Sequence, residues 1–221
     1  ELFNGNIGFR LEQNFRNTIE IVQFVRSLFP DRLITPGEEH GPKPSMILSG
    51  DDIDTQIEIV EDIIEEFQSP THNIAILLPL VNNGNYRYQT VDYWYNRLTT
   101  DGISCSKFTN RDDEVGIIEN VHVTTFKSSK GLEFDTVIIP NFDQFSYNID
   151  ELRVVDENDY YVILTRARRN LFLIDDSGNS ISDCNLSFVQ IAIQRDIIEV
   201  DNSYTSTDQG SANETFDDLP F

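Results

Sequence analysis

The sequence predicts an α/β fold in which a mostly parallel sheet carries helices on both faces. Short apolar segments alternate with longer amphipathic ones, a pattern typical of strands joined by crossover helices. Two of the short segments, residues 74–80 (IAILLPL) and 136–140 (TVIIP), are almost entirely apolar. Such runs indicate strands that are buried on both faces, as in a parallel sheet.

The first third of the chain is predicted to form a short strand over residues 10–14 and then a helix from about Thr18 to Phe29. Apolar side chains recur in this helix at helical spacing, and Pro30 ends the run. Residues 35–44 are rich in Pro and Gly, which indicates a loop.

The middle of the chain continues the alternation with a strand over residues 46–48. Asp51 or Asp52 is expected to cap the next helix, whose apolar stripe extends to about Phe67 and whose other face is acidic. After the apolar strand that follows and a loop with Asn and Gly, an aromatic-rich helix is predicted over residues 89–99.

The last third is predicted to contain a strand over residues 121–125, a helix over residues 157–169 and a strong strand over residues 171–174. The composition then shifts to Ser, Thr, Asn, Gln, Gly and acidic residues, which predicts a disordered acidic C-terminal tail. We therefore expect one domain over residues 1–200 and a tail over residues 201–221.

The chain is strongly acidic, with a net charge of −22. The last 21 residues hold five acids and no base, so most of this charge lies in the body of the chain. A surface this acidic repels phosphate backbones. We therefore expect the chain alone to bind nucleic acid weakly, with any contact made by a local groove or shared with a partner domain.

The composition favours a cytoplasmic protein with no membrane partner. No apolar run approaches the ~20 residues that span a bilayer, and the chain does not begin with a signal peptide. Cys105 and Cys184 lack metal-ligand spacing, so we interpret them as reduced thiols and expect no metal site. Because the first residue is Glu1 rather than Met, we expect the chain to be part of a larger protein.

Three segments carry residues suited to phosphate or nucleic-acid chemistry. The first is LEQNFRNTIEI at 11–21. An arginine between a strand and a helix, here Arg16, can reach a phosphate at the edge of a sheet, and the adjacent Phe15 can stack on a base. The alternative is that Phe15 lies in the core and Arg16 forms a surface salt bridge.

The second segment is VTTFKSSKGLEFDTVIIP at 123–140, where a polar turn joins two predicted strands. Backbone N–H groups and a lysine in such a turn can bind an anion, and Gly131 permits a positive φ or a close backbone approach. Glu133 can accept hydrogen bonds from sugar hydroxyls. The alternative is an ordinary turn with solvated polar residues.

The third segment is DENDYYVILTRARRNLFLI at 156–174, in which the predicted helix ends with Arg166, Arg168 and Arg169. One interpretation is that the three arginines meet the negative end of the helix dipole. The other is that Arg166 points at a transferring phosphoryl group and stabilises its charge, as an arginine finger does.

In this order, the three segments resemble the motifs of the C-terminal RecA-like motor domain of UvrD/Rep-type (superfamily 1) DNA helicases. NFR resembles motif IV, usually N-Y-R; TFKSSKGLEFD resembles motif V, usually T-x-H-S-x-K-G-L-E-F; and YVILTRA resembles motif VI, usually Y-V-A-x-T-R-A. The resemblance extends over roughly residues 9–176 and implies a RecA-like sheet that forms half of a two-domain motor.

In that family two RecA-like domains sandwich ATP and Mg²⁺. The resemblance implies that Phe15 stacks against adenine, that Glu133 contacts the ribose, and that Gly131 lies in the same nucleotide-binding turn. It also implies that Arg16 and Arg166 contact the γ-phosphate and act in catalysis. The phosphate-binding loop and the Mg²⁺ carboxylates come from an N-terminal domain, which is the first expected partner.

Single-stranded DNA is the second expected partner, because Thr125, Lys127 and Ser128 lie where the family touches the DNA backbone. Two positions depart from the family pattern, since Phe15 replaces the usual Tyr and Lys127 replaces the usual His. Only about a hundred residues separate motifs IV and V. We therefore expect the accessory domain that larger family members insert there to be absent or minimal.

The chain contains no G-x-x-x-x-G-K-[ST] phosphate-binding loop. We therefore expect the isolated chain to hold no cofactor and to hydrolyse no ATP. The leading function is the motor half of an ATP-dependent helicase or translocase in DNA repair. The alternatives are an ATP-driven remodeller of a protein or RNA polymerase complex, and a non-enzymatic interaction module.

The sequence ends with ETFDDLPF, which is similar to the acidic tip of bacterial single-stranded-DNA-binding proteins. The resemblance implies a partner-binding tail in which the Phe221 ring fills an apolar pocket on a replication or repair protein. Asp217, Asp218 and Pro220 are expected to contact the same partner. The alternative is an ordinary solvated acidic tail.

Overall fold

The computed structural model describes residues 13–14, 16–32, 34–50, 52–109, 119–142, 155–176 and 187–205. The helices in these residues are α1 (Ile19–Leu28), α2 (Ile53–Phe67), α3 (Val91–Thr100), α4 (Glu157–Leu164) and α5 (Ser187–Gln194). The strands are β1 (Gln13–Asn14), β2 (Thr35–Pro36), β3 (Ser45–Leu48), β4 (Ile74–Leu78), β5 (Cys105–Phe108), β6 (Val121–Thr125), β7 (Phe134–Ile139), β8 (Ala167–Asp175) and β9 (Glu199–Asp201).

Seven of the described strands form one parallel sheet in the order β5-β6-β4-β7-β8-β3-β9. In the middle of this sheet, Ile74 of β4 lies opposite Val121 of β6 on one side and Thr136 of β7 on the other. The short strands β1 and β2 pair with each other, also in parallel. The predicted α/β fold with a parallel sheet and helices on both faces is therefore confirmed.

Two apolar layers pack against the opposite faces of the sheet. Side chains alternate along β4, so that Ala75 and Leu77 join the layer with α1, α4 and α5, whereas Ile76 joins the layer with α2 and α3. All three side chains are fully buried. Because both faces of the strand are covered, every position favours an apolar residue, which explains the continuous apolar run in the sequence.

Side-chain hydrogen bonds define where two of the helices begin. The Asp52 carboxylate accepts from the Asp54 N–H at the start of α2, which is the N-cap role expected for it. Asp156 and Asp159 form a capping box at the start of α4, in which each carboxylate accepts from the backbone N–H of the other residue at 3.0–3.1 Å.

The predicted helix over residues 157–169 is wrong at its C-terminal end. It ends at Leu164, and β8 already begins at Ala167. The Thr165 hydroxyl donates to carbonyls of the preceding turn, and the chain then extends to pair with β7 and β3 on its two sides. Strand pairing along both edges outweighs the helical tendency of this segment. Arg168 and Arg169 are therefore exposed on β8 and do not lie at the end of a helix.

Four elements carry too weak a sequence signal for prediction, namely β2, β5, α5 and β9. Among the described strands, β5 has one neighbour, β6, and it includes the exposed Lys107, so it lacks a continuous apolar run. At the start of the predicted tail, Asp201 ends β9 and the Tyr204 hydroxyl donates to Asp62 at 2.7 Å. The first residues of that segment thus pack on the folded domain, and residues 206–221 lie outside the described residues.

Cys105 of β5 is a free and buried thiol. Burial, and to a smaller extent Glu119, raises the pKa of this thiol to about 11, so it is protonated and unreactive at neutral pH. Cys184 lies outside the described residues. In the part of the chain that the structure covers, none of the helices has the length and apolar character needed to cross a membrane.

Ile76 provides a test of the packing at the centre of the sheet. Replacing it with alanine should lower the free energy of unfolding by about 2–5 kcal/mol, because the change removes buried methyl groups and leaves a cavity. Urea denaturation followed by circular dichroism measures this difference.

Ile191→Ala is the matched control, because Ile191 lies on α5 with 41% of its surface exposed. Its replacement should change the free energy of unfolding by less than about 0.5 kcal/mol. Equal losses in the two variants would contradict the packing described here.

Candidate functional site

The segment between β6 and β7, residues 126–133, crosses from the carboxyl ends of the parallel strands to their amino ends. We call these two ends of the sheet the carboxyl edge and the amino edge. Thr125 ends β6 beside the last residue of β4. Thr136 of β7 lies beside the first residue of β4, so Glu133 lies before the amino edge of the sheet. The crossover therefore joins the residues expected to contact DNA at the carboxyl edge to those expected to contact nucleotide at the amino edge.

Three charged side chains, Arg16, Glu133 and Arg166, meet at the amino edge, and we call them the amino-edge cluster. Arg16 Nε lies 2.8 Å from Glu133 Oε1. Arg166 Nη1 donates to the carbonyl of Leu132 at 3.0 Å, directly before Glu133 in the chain. Arg16 lies between β1 and α1, Glu133 lies in the crossover, and Arg166 lies just before β8. The fold thus brings together residues that lie far apart in the sequence.

The Arg166 guanidinium is buried and is held by neutral oxygen atoms. Nε donates to the Val162 carbonyl at 2.9 Å, Nη1 to the Leu132 carbonyl, and Nη2 to the Thr165 hydroxyl at 3.3 Å. A guanidinium has five N–H donors, so two of them have no acceptor among the residues that the structure describes. A positive charge with unused donors is suited to binding an anion.

The electrostatic surroundings of Arg166 are unusual for a guanidinium. Burial lowers the pKa of Arg166, the neighbouring Arg16 lowers it further, and Glu133 partly opposes the shift. Arginine stays protonated in proteins even so. The lowered pKa therefore reflects a buried positive charge that lacks full compensation, and an incoming anion would relieve this condition.

The ion pair between Arg16 and Glu133 is partly open to solvent, since 59% and 32% of the two side chains are exposed. Exposed ion pairs contribute only about 0–1 kcal/mol to stability, because water competes for both groups. The pair can therefore separate at little cost, which leaves each side chain able to turn towards another ligand.

Gly131 and Leu132 form the tip of the crossover next to the cluster. Gly131 has a φ of 90°, where a side chain is disfavoured, although a β-carbon would meet no atom within 4 Å. Leu132 is 40% exposed. Open space on both residues leaves the tip accessible to a ligand or to another protein surface.

Residues 125–130, from the end of β6 into the crossover, have two different structural roles. The Thr125 hydroxyl donates to Ser128 Oγ at 2.8 Å and accepts from the Ser128 N–H at 3.0 Å, so these two side chains hold the turn after β6. Lys127 and Lys130 are exposed, and neither forms an ion pair with another described residue. The lysines thus remain able to contact an external phosphate.

Asn17 is a residue of the site that the sequence did not indicate. Its side chain is almost fully buried and donates to the carbonyls of Thr165 and Ala167, on either side of Arg166. Because main-chain carbonyls are present at every position, a contact of this kind has no sequence signature.

Several expected site residues cannot be placed. Phe15, expected to stack on adenine, lies outside the described residues, and so does the tail tip with Asp217, Asp218, Pro220 and Phe221. Their roles stay predictions. Among the residues that are described, no group of three or more His, Cys, Asp and Glu side chains is arranged to hold a metal ion.

Comparison with known proteins points to one family. Residues 99–177, which include motifs V and VI, match the family model of the UvrD-like helicase C-terminal domain. The chain is also 26% identical over 183 residues to a predicted ATP-dependent DNA helicase of Acanthamoeba polyphaga mimivirus. The match covers 75% of this chain but only 26% of that relative, so the chain spans about a quarter of its length.

The fold is similar to a crystal structure of the C-terminal domain of a possible DNA helicase from Lactobacillus plantarum WCFS1. The TM-score is 0.56 at 19% identity, and the match covers 86% of this chain and 99% of the other. At this identity the likeness shows the fold alone. The family match and the relative confirm the resemblance to the C-terminal domain of UvrD-like helicases, and the structural likeness confirms the α/β fold.

The different settings of the two arginines lead to a stability test. Arg166→Ala should lower the free energy of unfolding by about 1–3 kcal/mol, because the partly buried carbonyls of Val162 and Leu132 lose their donor. Arg16→Ala should change it by less than about 1 kcal/mol, because the ion pair that it removes is exposed. Urea denaturation of both variants at neutral pH checks this order, and a larger loss for Arg16→Ala would contradict it.

Proposed function

We propose that this chain is the C-terminal motor domain of an ATP-dependent DNA helicase or translocase. Its amino-edge cluster completes an ATP site at the interface with an N-terminal RecA-like domain. The observation that carries this proposal is the buried guanidinium of Arg166, which is held by neutral acceptors, has two N–H donors without an acceptor among the described residues, and lies near Arg16. Rigid donors of this kind stabilise charge on a transferring phosphoryl group.

Each member of the cluster has a distinct role in this proposal. Arg166 is fixed by its hydrogen bonds and presents its remaining donors to the γ-phosphate. Arg16 leaves Glu133 and turns to the same phosphate, a change that is easy because their ion pair is weak. Glu133 is then able to accept hydrogen bonds from the ribose hydroxyls. Two positive charges and one negative charge favour a polyphosphate even in a chain of net charge −22.

The chemistry itself needs groups from another domain. ATP with Mg²⁺ supplies the phosphoanhydride bond that is cleaved, and the family resemblance assigns the phosphate-binding loop and the Mg²⁺ carboxylates to the N-terminal domain. This sequence lacks a phosphate-binding loop. The cluster thus stabilises charge only when the two domains close on the nucleotide, which makes closure depend on the γ-phosphate.

Single-stranded DNA is the proposed ligand of the carboxyl edge. Lys127 is exposed at the start of the crossover, two residues after the end of β6. At physiological salt the Debye length is about 8 Å, so distant acidic residues are largely screened while a nearby lysine still attracts a phosphate. This local attraction allows an acidic domain to contribute a weak DNA contact within a larger protein.

The protein that contains both motor domains provides the direct test. Arg166→Lys should lower kcat for ATP hydrolysis by at least about 100-fold, because a lysine cannot reproduce the planar set of donors. Arg169→Lys is the matched control, because Arg169 is an exposed arginine on β8, the strand that begins directly after Arg166. This variant should keep kcat within about twofold. Steady-state ATPase assays with and without single-stranded DNA measure both effects.

The same assay separates the alternative functions. Hydrolysis that single-stranded DNA stimulates supports the helicase or translocase. Hydrolysis that DNA does not affect favours an ATP-driven remodeller of a protein complex. Absence of any hydrolysis in the two-domain protein favours a non-enzymatic interaction module, and normal activity of Arg166→Lys contradicts the proposed role of the cluster.

A further inference from the structure

Asn17 links the two arginines of the amino-edge cluster through a single buried side chain. Only 3% of Asn17 is exposed. Its Nδ2 donates to the Thr165 carbonyl at 3.1 Å and to the Ala167 carbonyl, which are the carbonyls on either side of Arg166. Asn17 also directly follows Arg16 in the chain, so one amide group joins the backbone segments that carry both guanidinium groups.

A second contact fixes the direction of the joined segments. The backbone N–H of Thr18 donates to the carbonyl of Arg168 at 3.2 Å. Two successive residues just before α1, Asn17 and Thr18, therefore attach the chain to the beginning of β8 and to the residue before Arg166. Within this attachment, the Asn17 side chain provides the contacts that lie nearest to Arg166.

We propose that Asn17 is a positioning residue that holds the Arg16 and Arg166 segments in register so that both guanidinium groups reach one phosphate. This inference rests on the proposed function of the cluster. Asn17 does not touch the nucleotide and acts through the backbone around Arg166. A misplacement of about 1 Å in a catalytic group can lower a rate about 100-fold, so a buried clamp at this point has a large effect on catalysis.

The chemistry of the amide explains why asparagine suits this position. Its NH₂ group has two donors and can satisfy two carbonyls at once. Aspartate has nearly the same shape but, when ionised, no donor, so Asn17→Asp removes both contacts without creating a cavity. Serine has one donor on a shorter side chain, so Asn17→Ser can restore at most part of the clamp.

The test uses the protein that contains both motor domains. Asn17→Asp should lower kcat for ATP hydrolysis by about 10- to 100-fold, while KM for ATP changes less than about threefold. Its affinity for ADP should stay within about twofold of the unchanged protein, because ADP lacks the γ-phosphate that the two arginines contact. Asn17→Ser should give a kcat between those of Asn17→Asp and the unchanged protein.

Asn170→Asp is the matched control for loss of stability. Asn170 is also buried, lies on β8 three residues after Ala167, and donates through Nδ2 to Thr136 Oγ1 at 2.9 Å. The two variants should show similar reductions in thermal stability, but Asn170→Asp should retain kcat within about threefold. Equal losses of kcat in both would overturn the positioning role.

A double-mutant cycle separates this inference from the proposed function. If Asn17 acts through Arg166, the double variant Asn17→Asp/Arg166→Lys should be no slower than Arg166→Lys alone. Two outcomes would overturn the positioning role but leave the ATP site in place. In the first, the loss of kcat in the double variant equals the product of the losses in the two single variants. In the second, Asn17→Asp keeps its kcat while Arg166→Lys is inactive. An active Arg166→Lys variant would instead overturn the proposed function of the cluster.

Discussion

The amino edge of this domain depends on how one buried positive charge, that of Arg166, is accommodated. Arg97 on α3 shows the common arrangement, in which the carboxylates of Asp101 and Asp54 lie 2.6 and 2.9 Å away and raise its pKa. Arg166 instead donates to main-chain carbonyls and a hydroxyl, which satisfy N–H groups without cancelling the charge. Under the proposed function, this positive charge is left for an anion from outside the domain.

Most of the sheet could be predicted because strands with two buried faces cannot accept polar residues without loss of stability. This constraint makes β4 apolar throughout and β7 apolar over residues 137–139, so both are visible in the sequence. The strand β5, which pairs with β6 alone among the described strands, escapes prediction because the exposed Lys107 interrupts its apolar pattern. The boundary between α4 and β8 was misplaced because the arginines there have no local preference strong enough to reveal strand pairing with distant β3 and β7.

The candidate site was only partly visible in the sequence. Spacing alone says nothing about whether Arg16, Glu133 and Arg166 converge, because they precede three different elements whose arrangement is set by the strand order. The expectation that they converge came from the family resemblance, and the three side chains lie together in the structure. The role of Asn17 leaves no pattern in the sequence, because its partners are main-chain carbonyls and it lies just outside the NFR triplet.

The crossover between β6 and β7 gives the two edges of the sheet a short physical connection. It is anchored at its carboxyl-edge end by the hydrogen bonds between Thr125 and Ser128, and in its middle by the fully buried Ser129, whose hydroxyl donates to the Phe126 carbonyl. Close-packed segments transmit displacement because they cannot deform gradually. Residues 130–133, between Ser129 and β7, are exposed instead. Under the proposed function, Glu133 can therefore turn from Arg16 towards the nucleotide without displacing the packed part of the crossover next to Lys127.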